Sequence, residues 1–392
     1  MRIEAVDFFY LAMPEITTDA DGSQDALLVR VAAGGHIGWG ECEAAPLVSI
    51  AGFVCPMSHG VCRPVGASVL GEGLDGPADI RRIAARVAYD SMDLLQAPHT
   101  FSGVEMALWD VLGKRRQEPV WRLLGYARSC KKLPYASQLF GDTPQATLQG
   151  ARDAIAAGFA AVKFGWGSVG RADVRADAEH FVAAREGLGP DAVLLVDVGQ
   201  IWGEDVAAAA ARLPALQAAR ATWLEEPFHT AALSAYDRLS RCTGTVRLAA
   251  GEGAHNVAMA QHLMQYGGVG FIQIDCGRIG GIGPAKAVAD EAVARGITYV
   301  NHTFTSHLAL SASLQPFAGL PDHRLCEYPF APRKLASEMT ANHLIRDAAG
   351  EVAAPDAPGL GITVDIEAAR RYLQDVEIKV NGRVLYATPV LS

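Results

Sequence analysis

The chain has 392 residues, half of them hydrophobic and a fifth charged, with a formal net charge of -9. That length points to two domains, or to a barrel of about 250 residues with an appendage. The negative balance excludes a nucleic-acid surface, and no uninterrupted apolar run is long enough to span a bilayer, so neither nucleic acid nor a membrane is an expected partner.

Seven cysteines are scattered without a CxxC pair, which reads as reduced thiols in a cytoplasmic protein rather than a disulfide frame or zinc site. The N-terminal residues carry Glu4 and Asp7, where a secretory signal would need an apolar run. Residues 2–10 and 26–33 alternate as antiparallel strands do, and Gly34 and Gly35 lead by a hairpin to a third strand running to Gly40. Residues 13–25 and 46–73 lack a period and read as loops over a site, the second irregular throughout. Residues 78–89 and 101–123 read as helices. In the second, Val104, Met106, Ala107, Val111 and Leu112 lie on or near one apolar face, with Gly125 as the C-cap. Residues 1–125 are therefore expected to form a small α+β domain.

Beyond Lys132 the pattern changes. Apolar runs at 133–139, 161–164, 193–197, 222–225, 247–252, 271–275, 298–302 and 324–327 alternate with Ala-rich helical segments, including 144–157, 172–186, 203–219 and 283–295. Repeated βα units whose strands have no polar face imply a closed parallel barrel over 126–330. A doubly wound open sheet is the alternative, but no GxGxxG opens a helix. Residues 331–392 form a C-terminal segment with an Asn381-Gly382 hairpin signal, expected to return to the first domain.

Successive strands end in acid: Asp197, then Glu225 beside Glu226, then Glu252. All would project onto the C-terminal face of the barrel. Converging carboxylates repel unless a cation sits among them, and oxygen-only ligation selects a hard ion, most simply Mg²⁺. Only one of Glu225 and Glu226 can point inward. The next two strands end in Asp275 and His302. Side by side, the Asp would hold the imidazole tautomer and raise its basicity, leaving the outer nitrogen to take a proton.

These pieces together resemble the enolase superfamily, in its mandelate racemase-like subgroup. The matching residues are Lys163, Asp197, Glu225 with Glu226 and Pro227, Gly251 and Glu252, Asp275 with Gly280 and Gly281, Asn301 and His302, and Glu327. The stretches from Ser102 to Asp110 and from Leu123 to Gly125 match as well. The resemblance covers nearly the whole chain. It implies a capping domain over a (β/α)7β TIM-like barrel and favours Glu225 over Glu226. It also implies one Mg²⁺ on Asp197, Glu225 and Glu252, Lys163 against the substrate carboxylate, and Glu327 hydrogen-bonded to the enediolate.

The chain departs from that pattern at Gly165, where two-base members carry a second Lys, and at Gly199, where the family often has Asn. His307 reads as a helix or loop histidine, while His229 and His255 follow the metal strands and are candidates for lining the pocket. With His302 as the clear base, the expected activity is Mg²⁺-dependent dehydration of a sugar acid to a 2-keto-3-deoxy acid. A cycloisomerase, or a racemase or epimerase using Lys163, is the alternative. Barrels of this kind commonly assemble, so a homo-oligomer is expected.

Overall fold

The computed structural model describes residues 1–18, 24–42, 45–303 and 305–392. Strands β1 (Ile3–Leu11), β2 (Ala26–Ala33) and β3 (His36–Cys42) form an antiparallel sheet in the order β1-β2-β3. Helices α1 (Pro46–Val54), α2 (Pro77–Asp90), α3 (Ala97–Arg116) and α4 (Val120–Leu123) follow. The stretch 46–73 is therefore not irregular throughout: it opens with α1, whose first turn Pro46 favours, and later makes a 3-10 turn at Val65–Ser68.

The helix expected at 101–123 is two helices. Gln117 is left-handed, with φ 55°, and Pro119 follows it, so α3 ends at Arg116 and Gly125 comes after α4 instead. Nor does α3 bury one face only, since almost every residue from Ala97 to Gly113 is buried. It lies between the small sheet and the barrel. The close approach depends on glycine: a Cβ on Gly40 would stand 2.1 Å from the carbonyl of Gly103, and one on Gly38 2.2 Å from that of Ala107.

The second sheet is parallel, in the order β10-β9-β8-β7-β6-β5-β4-β11. Its strands are β4 (Leu133–Leu139), β5 (Ala161–Gly165), β6 (Val193–Asp197), β7 (Ala221–Glu225), β8 (Arg247–Ala250), β9 (Phe271–Asp275), β10 (Thr298–His302) and β11 (Leu325–Tyr328). Between them run α5 (Pro144–Ala156), α6 (Val174–Leu188), α7 (Val206–Ala218), α8 (Leu233–Ser240), α9 (Val257–Tyr266), α10 (Ile282–Arg295) and α11 (His307–Leu314). This is the expected TIM-like barrel with an N-terminal capping sheet. The seam between β10 and β11 is bridged by a side chain: Asn301 Nδ2 donates to the Glu327 carbonyl at 3.2 Å, and the Glu327 amide donates to Asn301 Oδ1 at 2.9 Å.

After β11 the chain passes α12 (Lys334–Glu338) and α13 (Ile366–Arg370) and ends in the hairpin β12 (Glu377–Val380) and β13 (Arg383–Ala387), turned by Asn381 and Gly382. The hairpin pairs with itself rather than with the first sheet. Contact with β1 is made just before it, where Leu373 bridges Leu11 and the Gln374 amide donates to the Tyr10 carbonyl at 2.8 Å, and by the hairpin itself, where Tyr386 Oη donates to the Phe8 carbonyl. Among the described residues no helix is long and apolar enough to cross a membrane.

A buried carboxyl couples cap to barrel. Glu105 of α3 accepts from the amides of Ile282 and Gly283, at 2.7 and 2.8 Å, and from Trp109 Nε1 at 2.7 Å. It thereby satisfies the open N-terminus of α10. Gly281, with φ 110°, has to be glycine here, because a Cβ would stand 2.2 Å from Glu105 Oε2. Glu105→Ala strands these buried donors and should cost about 3 kcal/mol in chemical denaturation. A loss below about 1 kcal/mol would show that water replaces the carboxylate.

Candidate active site

The pleat of the barrel strands builds the site. A separate apolar cluster of Tyr135, Ala161, Leu195, Trp223, Ala249, Phe271 and Val300 fills the barrel interior. Side chains alternate along a strand, so the residue two further on points the same way, one layer higher. Those residues include Lys163 on β5, Asp197 on β6, Glu225 on β7, Gln273 on β9 and His302 on β10. Glu327 follows Leu325 on β11 by the same rule, and Asp275 ends β9. The pleat also separates Glu225 from Glu226. Glu225 shares the inward side with Trp223, whereas Glu226, at φ 42°, accepts from Gln200 Nε2 at 2.9 Å. Strained backbone gathers along the rim, at Trp166, Gln200 and Glu226, one just beyond each of three strand ends.

The expected residues come together. Lys163 Nζ lies 2.8 Å from Glu225 Oε1, 3.1 Å from Glu327 Oε1 and 3.5 Å from Asp197 Oδ2. Its Nζ stands 5.7 Å from the Tyr135 ring centre, in the apolar layer. His302 Nδ1 meets Asp275 Oδ2 at 2.6 Å, and Asp275 Oδ1 accepts the Gly277 amide at 2.6 Å. On the other side of the ring, His302 Nε2 lies 3.3 Å from Glu252 Oε2 and 3.9 Å from Glu327 Oε2. Glu252 Oε1 also takes Arg278 at 3.3 Å. Arg278 was not legible as part of the site. Its only signal is a cation soon after Asp275, at the mouth end of β9.

All of these acids are buried. Burial raises Glu225 well above the ordinary carboxylate range; Lys163 opposes this, and Asp197 and Glu252 add to it. Burial likewise lifts Asp197 to about 6, with Lys163 pulling down and Glu252 pushing up. At Glu252 the burial effect is outweighed by His302, Arg278 and Lys163, which leave it at about 2. Burial alone would lower His302, but Glu252, Glu327 and Asp275 hold the imidazole well above its usual value. Lys163, too, stays charged because Glu225 and Glu327 outweigh its desolvation.

The donor set fits a hard divalent cation. Glu225 Oε2 is buried with no hydrogen-bond partner. Among the described residues of the mouth, Asp197, Glu225, Glu252, Asp275 and Glu327 outnumber Lys163, Arg278 and His302, leaving negative charge over. No three His, Cys, Asp or Glu side chains among the described residues stand as a ready-made cluster. Lys163, Arg278 and His302 hold the acids instead, so side-chain shifts would accompany ion binding.

Other expected residues lie outside this group. His255 pairs with His99 at 2.7 Å, exposed His229 lies 3.4 Å from Gln200 Oε1, and His307 stacks on His343 with ring centres 4.3 Å apart. Gly165 faces Asp197: a Cβ there would stand 3.3 Å from both Cβ and Oδ2 of Asp197. The indole of Trp166 takes the side-chain space at Gly199, where a Cβ would meet it at 2.5 Å. At the base of the loop expected over 13–25, Gln24 Oε1 accepts the Thr17 amide at 2.9 Å, and Arg333, just beyond β11, reaches Thr17 Oγ1 at 3.1 Å. Residues 19–23 of that loop, and 43–44 ahead of the second, lie outside the described residues.

An acid-lined barrel mouth under an antiparallel cap defines the enolase type of architecture, and sequence comparison agrees. Residues 11–125 match the mandelate racemase / muconate lactonizing enzyme N-terminal domain, and residues 146–369 match the enolase C-terminal domain-like family. The chain belongs to this family, as an enzyme of the enolase superfamily. It is similar to a crystal structure described as a predicted mandelate racemase from Rhodobacter sphaeroides, with 68% identity, a TM-score of 0.96, and 99% of this chain and 100% of that one covered. It is 32% identical over 273 residues to a 3,6-anhydro-alpha-L-galactonate cycloisomerase of Streptomyces coelicolor, covering 69% of this chain and 71% of that protein. It is 29% identical over 338 residues to a D-galactonate dehydratase of Variovorax paradoxus, covering 81% and 86%. Members of the superfamily generally use Mg²⁺.

Two measurements test the electrostatic reading. Mg²⁺ at about 100 times its dissociation constant should stabilise the fold by about 2.7 kcal/mol, seen as a higher melting temperature that Glu225→Gln loses. A wild-type melting temperature indifferent to Mg²⁺ after chelation would exclude the site. Lys163→Met removes the cation shared by three buried acids and should cost about 3–5 kcal/mol in metal-free protein.

Proposed function

We propose that this protein is a Mg²⁺-dependent dehydratase of a sugar acid, with His302 as the base. The observation that carries this reading is the asymmetry of the mouth. One side holds the buried His302–Asp275 pair, while the place where two-base relatives carry a second Lys is Gly165, crowded against Asp197. Lys163 Nζ is engaged by two acids of the mouth, 2.8 Å from Glu225 Oε1 and 3.1 Å from Glu327 Oε1. A racemase needs a proton acceptor on each face of the planar intermediate; an eliminase needs one.

The residues divide the work as follows. His302 Nε2 takes the proton beside the substrate carboxylate, while Asp275 keeps Nδ1–H in place and stabilises the imidazolium. The C–H electron pair forms the enediolate. Its collapse expels the β-hydroxyl group, which leaves as water with the proton from His302 when both groups depart from the same side. The remaining enol tautomerises to the 2-keto-3-deoxy acid. Lys163 faces the substrate carboxylate, and Glu327 hydrogen-bonds the enediolate. Mg²⁺, when held by Asp197, Glu225 and Glu252, supplies positive charge against the developing oxyanions.

The similarity to a cycloisomerase supports a second reading. There the same proton leaves, but a ring oxygen is the leaving group and no water is lost. A library of acid sugars including D-galactonate, screened for keto-acid release with water as co-product, separates the two. His302→Asn should lower both turnover and α-proton exchange in D₂O by at least about 10²-fold. Exchange that persisted in this variant, or equal exchange of both α-epimers by wild type, would move the base to Lys163 and favour an epimerase.

A further inference from the structure

Glu41 is a buried carboxyl that the mechanism above does not use. It lies near the end of β3 in the capping sheet and is 1% exposed. One oxygen, Oε2, accepts from Ser306 Oγ, in the segment between β10 and α11. The other, Oε1, is buried, and the Thr305 hydroxyl and the backbone amides of Ser306 and Ala309 also face the carboxyl. Glu41 and Thr305 line a cavity of about 10 Å³ together with Asp275, Gly277, His302 and Thr303, which is room for about one water. The neighbouring residue touches the other dyad loop: Cys42 Sγ lies 3.8 Å from the Gly277 carbonyl, and the Gly277 amide holds Asp275 Oδ1. The tip of one capping strand thus meets both segments that carry the His302–Asp275 pair.

We propose that Glu41 is a positioning residue for the dyad, acting through Ser306 and through one water held in this cavity between Glu41 Oε1 and the Asp275–His302 pair. A cavity lined by a carboxyl, a hydroxyl and the dyad offers a water the polar partners it needs. Burial pushes the Glu41 carboxyl up to about 7, against the pull of the Ser306 and Thr305 hydroxyls, so near neutral pH about half of the molecules carry a carboxyl proton that can be donated to that water. Cap and barrel then share one hydrogen-bonded unit, and the docked cap helps to set the orientation of His302. The inference deepens the reading of His302 as the base and rests on it.

The test joins crystallography to kinetics. A wild-type crystal structure should show one water within hydrogen-bond distance of Glu41 Oε1 and of Asp275 or His302; a dry cavity would overturn the proposal. This readout needs no substrate, so it survives failure of the dehydratase assignment and remains decisive even if E41A does not fold. With the acid-sugar library as substrate, E41A should lower kcat by about 10- to 100-fold, the usual range for a group that orients another, with KM within about threefold. E41Q keeps an acceptor for Ser306 and a donor for the water, and should restore kcat to within about fivefold of wild type. Equal losses in E41Q and E41A, or wild-type kcat in E41A, would each overturn the assignment.

Discussion

The site is organised by the cost of holding several carboxylates together out of water. Strand ends bring Asp197, Glu225, Glu252, Asp275 and Glu327 into one buried mouth, where like charges repel strongly and solvent does little to screen them. Several polar groups of the mouth answer that repulsion. Lys163 sits among three of the acids, Arg278 and His302 take Glu252, and backbone amides take Asp275 and Glu327. The residual negative charge favours a cation in the same place, and Glu252, Glu327 and Asp275 hold the His302 imidazole well above its usual value.

The cap is joined to this mouth by polar contacts in a packed interface. Glu105 satisfies the start of α10, and Glu41 reaches the segment after His302. Asn301 bridges the barrel seam directly beside His302, spanning to the backbone of Glu327. These contacts tie His302, the strand that carries Glu327 and the cap into one framework.

What was legible in the chain was local. Apolar runs ending in polar residues marked the barrel strands, and Asp197, Glu252, Asp275 and His302 stood at or just beyond their ends, because a parallel strand buried on both faces shows its site residues only where it leaves the core. Loops were less legible. The stretch 46–73 hid α1 because that helix is nearly all apolar or small, with Ser49 its one polar residue, so no polar face marks a helical period. The helix expected at 101–123 ran through Gln117, whose left-handed backbone no propensity foretold. α3 looked one-sided because its small and polar residues were counted as exposed, whereas the glycines of β3 let the sheet cover them.

The sequence alone therefore determined the order of elements, the barrel, and which strand ends carry carboxylates and a histidine, since these follow from periods of two and 3.6 residues and from residue chemistry. Tertiary structure decided the rest. Glu225 rather than Glu226 faces inward because of the pleat it shares with Trp223. Lys163 bonds acids 62 and 164 residues away, and Glu41 meets Ser306 across 265 residues. Arg278 enters the mouth through a bond to Glu252. Pairings of that kind depend on where the closed barrel and the docked cap place two distant backbones, and nothing in the local pattern of either segment encodes that distance.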